Sequence, residues 1–376
     1  MPGNGFRIAL AALLCIACRA FAAGDLLIGN VATTTNPQAA QNSANIMLGY
    51  QIWFAEVNSQ GGIRGRQVKL VNKDDGLVPD KMVALTQELI ADPNVIALAG
   101  YLNTPGLVEL MKRNVLVDGK IAMVAPIGPF NATNFYPVRP GYNDEAERLV
   151  QEAAQTQKKR VALVYFNQAF APGVFKFAEE SAKRQGVNVV ATAMFETDPA
   201  KIDAGIAAAA DKVSKAEPDA VIVIAAGIGA FNFVKRFRQT PNGEAQLYTL
   251  SPVDSFGLVK VAGLEASRGV VISQAIPYPN YTALAVVREY QKMMKKHAAD
   301  KPLSFYSLEG FIGAKIVAEA LKHAGPNPTR EKVIAALNGL KDYDVGDFTV
   351  SYTAERRVGS RTVDLTIVGK DGSLFR

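Results

Sequence analysis

Short β-branched apolar runs alternate with longer stretches of helical period along most of the chain. Residues 26–31, 68–72, 95–99 and 122–125 read as strands, since each is a short run rich in valine, isoleucine, leucine or alanine bounded by polar or turn residues. Between them, residues 44–58 place Ile46, Trp53, Phe54 and Val57 at helical spacing, and Gly61-Gly62 supplies the glycine stop. Pro79-Asp80 opens a second helix running through Ile90, and a third starts near Gly106. A second series repeats the alternation. Its strands are 161–166, 187–193, 220–225, 247–250 and 270–273, and its helices are 173–185, 202–215 and 230–238. Three more helical patterns, 283–298, 308–324 and 329–337, precede a hairpin-like tail over 348–374. Strands alternating with helices predict βαβ units and parallel sheets. Two such series predict an α/β chain of two lobes, with the link at 136–144, where Pro137, Pro140 and Gly141 interrupt the pattern.

The N-terminus breaks this rhythm. Arg7 precedes an apolar run from Ile8 to Ala17, then Ala20-Phe21-Ala22, which predicts a cleaved export signal over residues 1–23. A lipid-attachment site at Cys18 is the weaker reading, because Cys15 stands where a leucine is wanted. No later run approaches the roughly 18 apolar residues that would span a bilayer. The 376 residues are 49% apolar, enough for two cores.

Removing the leader changes the candidate chemistry. Both cysteines, Cys15 and Cys18, lie within it, so the remaining chain offers no disulfide, cysteine metal site or thiol nucleophile. Losing Arg7 and Arg19 without any acid lowers the net charge from +6 to +4. The basic clusters Lys158-Lys159-Arg160 and Lys295-Lys296-His297 close helical patterns, where cations complement the dipole; no basic face for nucleic acid emerges. His297 and His323 have no metal-ligand spacing, and neither a nucleophile elbow nor a phosphate loop occurs. The sequence therefore predicts no enzyme, no metal and no cofactor.

Several segments carry a resemblance. Asn58-Ser59-Gln60-Gly61-Gly62-Ile63-Arg64-Gly65-Arg66 leads into a strand ending at Asp74-Asp75. Ala97-Leu98-Ala99-Gly100 and Met123-Val124-Ala125-Pro126 each precede a loop, and Val138-Arg139-Pro140 precedes an acidic helix start. In this order the segments resemble type I periplasmic substrate-binding proteins of ABC transporters, in the branched-chain amino-acid (Leu/Ile/Val) branch. The resemblance implies two Rossmann-like lobes joined by hinge strands and closing on a ligand. It further implies a first lobe of 24–141 plus about 274–344, and a second of 142–273 plus about 345–376.

The implied site residues follow loop by loop. In the first lobe, Tyr101, Asn103 and Thr104 match the loop that takes a carboxylate, although Thr104 followed by Pro105 also fits a helix cap. Ile127, Gly128 and Phe130 form the second loop, where Pro129 replaces the hydroxyl usual in amino-acid binders and leaves acids without an amine open. Gln41 is a polar candidate at the cleft mouth. Asp144 matches an acidic ligand-side position and equally an N-terminal helix aspartate; Tyr142 beside it is a stacking candidate. In the second lobe, Phe170 matches an aromatic wall, Gly227 a close backbone approach and Asp254 a carboxylate for a cationic group. The implied function is an importer's periplasmic substrate-binding subunit, expected as a monomer. Its partners would be a membrane permease and a small amino acid or carboxylate. A periplasmic sensor of a small amide or organic acid is the alternative.

Overall fold

A computed structural model describes residues 24–376 except 38, 129, 169, 197, 199, 354–356 and 358. The leader and Pro129 lie outside the described residues. The first series gives β1 (Leu26–Ala32), α1 (Ala40–Ser59), β2 (Val68–Asp74), α2 (Pro79–Ala91) and β3 (Val95–Ala99). It continues through α3 (Thr104–Lys112), α4 (Val115–Asp118), β4 (Met123–Val124) and β5 (Phe135–Tyr136). The second opens with α5 (Tyr142–Gln155), β6 (Arg160–Phe166), α6 (Ala171–Arg184), β7 (Asn188–Phe195) and α7 (Ile202–Lys215). There follow β8 (Ala220–Ile224), α8 (Gly227–Phe237), β9 (Gln246–Thr249), α9 (Ser255–Ala262), α10 (Leu264–Ser267) and β10 (Val271–Gln274). The chain ends with α11 (Ala285–His297), α12 (Phe305–His323), α13 (Arg330–Asn338), β11 (Tyr343–Asp344), β12 (Thr349–Val350), β13 (Asp364–Val368) and β14 (Leu374–Phe375).

Among the described residues, one sheet has the order β2-β1-β3-β4-β5 with parallel pairings throughout. A larger one has the order β14-β13-β10-β9-β8-β6-β7, parallel from β10 to β7 and antiparallel at the β13–β14 edge. The central strands β3 and β8 are buried along their whole length, as strands covered by helices on both sides must be. With a register shift beside Val95, β1 and β3 send Ile28, Ala97 and Ala99 into a core with α1 and α12, and Val31, Val95 and Leu98 into one with α2 and α3. The larger sheet divides in the same way, Val164 and Val223 facing α7 and α8, Leu163 and Ile222 facing α5 and α6. Separate cores on separate sheets make two lobes.

The late helices return to the first lobe. Helix α12 crosses α1 at glycines: a Cβ on Gly49 would collide with the Ser307 carbonyl and the Phe311 amide, and one on Gly310 with the Ile46 carbonyl. The tail is not the single hairpin expected from sequence. β12 pairs with β11 beside the first-lobe core, where Phe348 and Tyr352 are buried, whereas β13 pairs with β10 and β14 in the second lobe. The chain therefore passes between the sheets after β5, after β10 and after β12. The first and last passages are bonded together: Gly359 N–H donates to the Pro137 carbonyl (3.0 Å), Ser360 N–H to Val138 (3.0 Å) and the Tyr352 hydroxyl to Pro137 (3.2 Å).

Candidate functional site

Strand order reverses between β1 and β3 in one sheet and between β6 and β8 in the other. Open parallel sheets bind ligands outside the carboxyl ends of the strands at such points. β5 and β10 both leave their sheets at these ends straight into inter-lobe passages, which sets both candidate crevices beside the hinge.

In the first-lobe crevice, Asp75 and Asn103 are held by an internal network. Asp75, fully buried, accepts from Thr33 Oγ1 (2.7 Å), Asn103 Nδ2 (2.9 Å) and Leu77 N–H (2.8 Å). Asn103 also caps α3, its Oδ1 accepting from Gly106 N–H at 3.1 Å. The cap is thus Asn103 rather than Thr104, which is the first helical residue and exposed. Tyr101 points into the core, its side chain wholly buried and its hydroxyl 3.3 Å from Thr86 Oγ1; burial pushes its pKa up. Only its carbonyl reaches the neighbouring loop, taking the Ile127 N–H at 2.8 Å. Ile127 is itself buried. Gly128 adopts φ +141°, and a Cβ there would strike the Phe130 ring, which lies 6.0 Å from Phe135. Gln41 is exposed on the first turn of α1, donating to Asn45 at 3.2 Å.

On the second lobe, Tyr142 and Phe170 come together with ring centroids 4.7 Å apart, tilted by 41°. Gln168 Oε1 accepts from Ala226 N–H at 3.1 Å, joining the loops after β6 and β8. Gly227 begins α8 with φ +60° and open space where a Cβ would be. Asp254 is exposed and caps α9 through Gly257 N–H at 2.6 Å. Ile228 (54% exposed) and Phe256 (78% exposed) stand beside these loops as apolar rim. Asp144 accepts from Gly141 N–H at 2.8 Å and closes the start of α5. Of the sequence candidates, the structure pairs Tyr142 with Phe170, and Tyr101 with Ile127; Gln41 joins neither group.

Three groups at the hinge were not legible in the sequence. Arg139 donates from Nε and Nη2 to the two carboxylate oxygens of Glu309 at 2.8 and 2.7 Å, with Glu309 wholly buried on α12. Tyr306, one turn earlier, lies within electrostatic reach of Arg139 and Glu309 and, on the other lobe, of Asp254; burial pushes its pKa up. Glu145, buried on α5, accepts from Ser251 N–H (2.8 Å), Ser251 Oγ (2.9 Å) and Ser273 Oγ (2.6 Å). Val138-Arg139-Pro140 was visible as a motif, and a charge among Leu308, Phe311 and Ile312 is the one sign that Glu309 has a partner.

Burial pushes the Glu145 carboxyl above its ordinary value of 4.5, against the hydrogen bonds from Ser273 and Ser251 and the nearby Arg139. A raised folded value means stabilisation that is complete below 4.5 and is lost as pH rises through the folded value. Urea titrations are expected to show the wild type gaining on Glu145→Gln as pH falls from about 7 to about 4. A flat or opposite trend would mean that the serine hydrogen bonds outweigh burial.

A family described as "Periplasmic binding protein" matches residues 26–373, nearly the whole described chain and both sheets. The chain belongs to this family. It is 24% identical over 337 residues to a Leu/Ile/Val-binding protein homolog of Brucella abortus, covering 84% of this chain and 81% of that one. A substrate-binding periplasmic protein from Ralstonia solanacearum superposes with a TM-score of 0.77 at 30% identity, over 93% of this chain and 99% of the other. A branched-chain amino acid transporter substrate binding protein from Streptococcus pneumoniae, solved with isoleucine, shares the fold. Its TM-score is 0.76 at 16% identity, covering 94% of this chain and 98% of that one. The periplasmic binding protein therefore has the two-lobed α/β fold of substrate-binding relatives. Among its described residues no helix is long and apolar enough to cross a membrane, and no cluster of three potential metal ligands occurs.

Proposed function

We propose that this chain is the periplasmic substrate-binding subunit of an ABC importer, holding a small carboxylate between its lobes. Branched-chain and aromatic amino acids, and aromatic or aliphatic acids, are the ligand classes. The observation that carries the reading is the pair of strand-order reversals, one per lobe, beside a hinge of hydrogen-bonded passages in a chain that matches the family almost end to end. The names of the Brucella and Streptococcus relatives point towards branched-chain ligands. Capture would draw the lobes together, because a ligand touching both favours the closed arrangement. In this reading the first lobe runs over 24–141 and from about 274 to Tyr352, since Phe348 and Tyr352 belong to its core. The lobes do no chemistry, and delivery to a membrane permease is the output.

Thermal-shift titration with leucine, phenylalanine, benzoate and hexanoate tests the reading. A ligand at a hundredfold excess over Kd stabilises a single site by about 2.7 kcal/mol, a readily measured rise in Tm. Absence of any shift across these probes would remove the carboxylate assignment.

A further inference from the structure

Several donors in the first-lobe crevice are already used, leaving Thr104, exposed at the start of α3, as its side-chain donor. Asn103 gives its amide to Asp75 and caps its own helix, Pro105 has no N–H, and the Ile127 N–H is spent on the Tyr101 carbonyl. An acidic ligand group placed there would meet few free hydrogen-bond donors.

The hinge end of the cleft is the reverse. The side-on edge of Arg139 is occupied by Glu309, yet its Nη1 makes no hydrogen bond among the described residues. Tyr142, the first residue of α5, and Tyr306, in the first turn of α12, come from opposite sides of the hinge. Tyr306 stands one turn before Glu309, the partner of Arg139, and Tyr142 three residues after Arg139 with its ring against Phe170; neither hydroxyl has a hydrogen-bond partner among the described residues. Both rings are largely enclosed, and burial keeps the phenols protonated at neutral pH, so they are donors.

We propose that the ligand's carboxylate is held at the hinge by Arg139 Nη1 and the hydroxyls of Tyr142 and Tyr306, with its apolar part towards Phe170. The inference rests on the carboxylate-binding reading above and moves the anchor from the first-lobe loops to the hinge. Two phenol O–H groups and a guanidinium N–H suit a group that only accepts. Glu309 already balances the guanidinium, so the ligand is gripped by directed hydrogen bonds rather than by an unpaired cation, which fits a carrier that must release it. Because Tyr142 and Tyr306 belong to different lobes, a carboxylate bonded to both ties capture to closure.

Tyr142→Phe, Tyr306→Phe and the double variant keep the rings, including the Tyr142–Phe170 contact, and remove only the donors. Calorimetric Kd values are measured for leucine, phenylalanine, benzoate and hexanoate and for the matching primary amides. An acid that binds the wild type is expected to bind each single variant about tenfold more weakly, and its amide to bind the wild type at least as poorly. Unchanged Kd values in both variants would overturn the hinge anchor while leaving the cleft assignment intact. Equal losses for acid and amide would also overturn it, since the hydroxyls would then shape the cleft without holding a carboxylate. If no acid binds the wild type, the carboxylate reading falls first and the anchor with it.

Discussion

Glu309→Gln is expected to destabilise the fold by about 3–5 kcal/mol in urea unfolding at neutral pH. The wild-type carboxylate is wholly buried and takes both Nε and Nη2 of Arg139. An amide offers one acceptor and turns its NH2 towards the guanidinium, leaving a nearly enclosed cation without its counter-charge. The desolvation that the pair had offset is then paid in full. Removing both partners is milder than removing one, because no charge is left behind; Arg139→Met with Glu309→Met should recover much of the loss. A Glu309→Gln protein within about 1 kcal/mol of wild type would show that the pair contributes only what an exposed ion pair does.

Gly310→Ala is expected to cost about 3 kcal/mol, at the upper end of the usual overpacking range, although alanine ordinarily improves a helix by about 1 kcal/mol. The added methyl would run into the Ile46 carbonyl, and the reciprocal contact of Gly49 with Ser307 and Phe311 leaves α1 no room to retreat. Backbone meets backbone here, so no side chain can rotate aside. Urea unfolding compared with Gly173→Ala, a helical glycine with open space around its Cβ position, separates crowding from propensity. If both variants proved equally stable, the helices would have to separate at little cost.

The sheets were readable because short continuous apolar runs and glycine stops are local. Helix α7 begins and ends where its pattern does, at Ile202 and Lys215, and β3 coincides with residues 95–99. β5 has only two residues, too few to show a period, and α9 and α10 are short helices broken at Gly263. The tail was misread because β12 and β13 each find partners far away in sequence. The placement of the candidate side chains was legible only in part. Tyr142 and Phe170 followed from their loops, and they meet. Tyr101 did not, since a loop tyrosine can turn inward, and its orientation depends on Thr86 in another element. Arg139 and Glu309 pair over a separation of 170 residues, which no window on the chain can see.

The embrace of Gly49 by α12 also sets an order of events. Helix α1 needs a partner, α12, that lies far along the chain, and β10 equally needs β13 to cover its edge. The smaller sheet's core is completed by α11, α12 and α13, and the larger sheet by β13 and β14. Folding therefore waits on contacts between distant parts of the chain, whose closure is slow, and a partly folded chain exposes apolar helix faces and an open strand edge. Progressive loss of the late segments would injure the lobes in turn, first by stripping β14 and β13 from the larger sheet and then by withdrawing the helices that seal the smaller one.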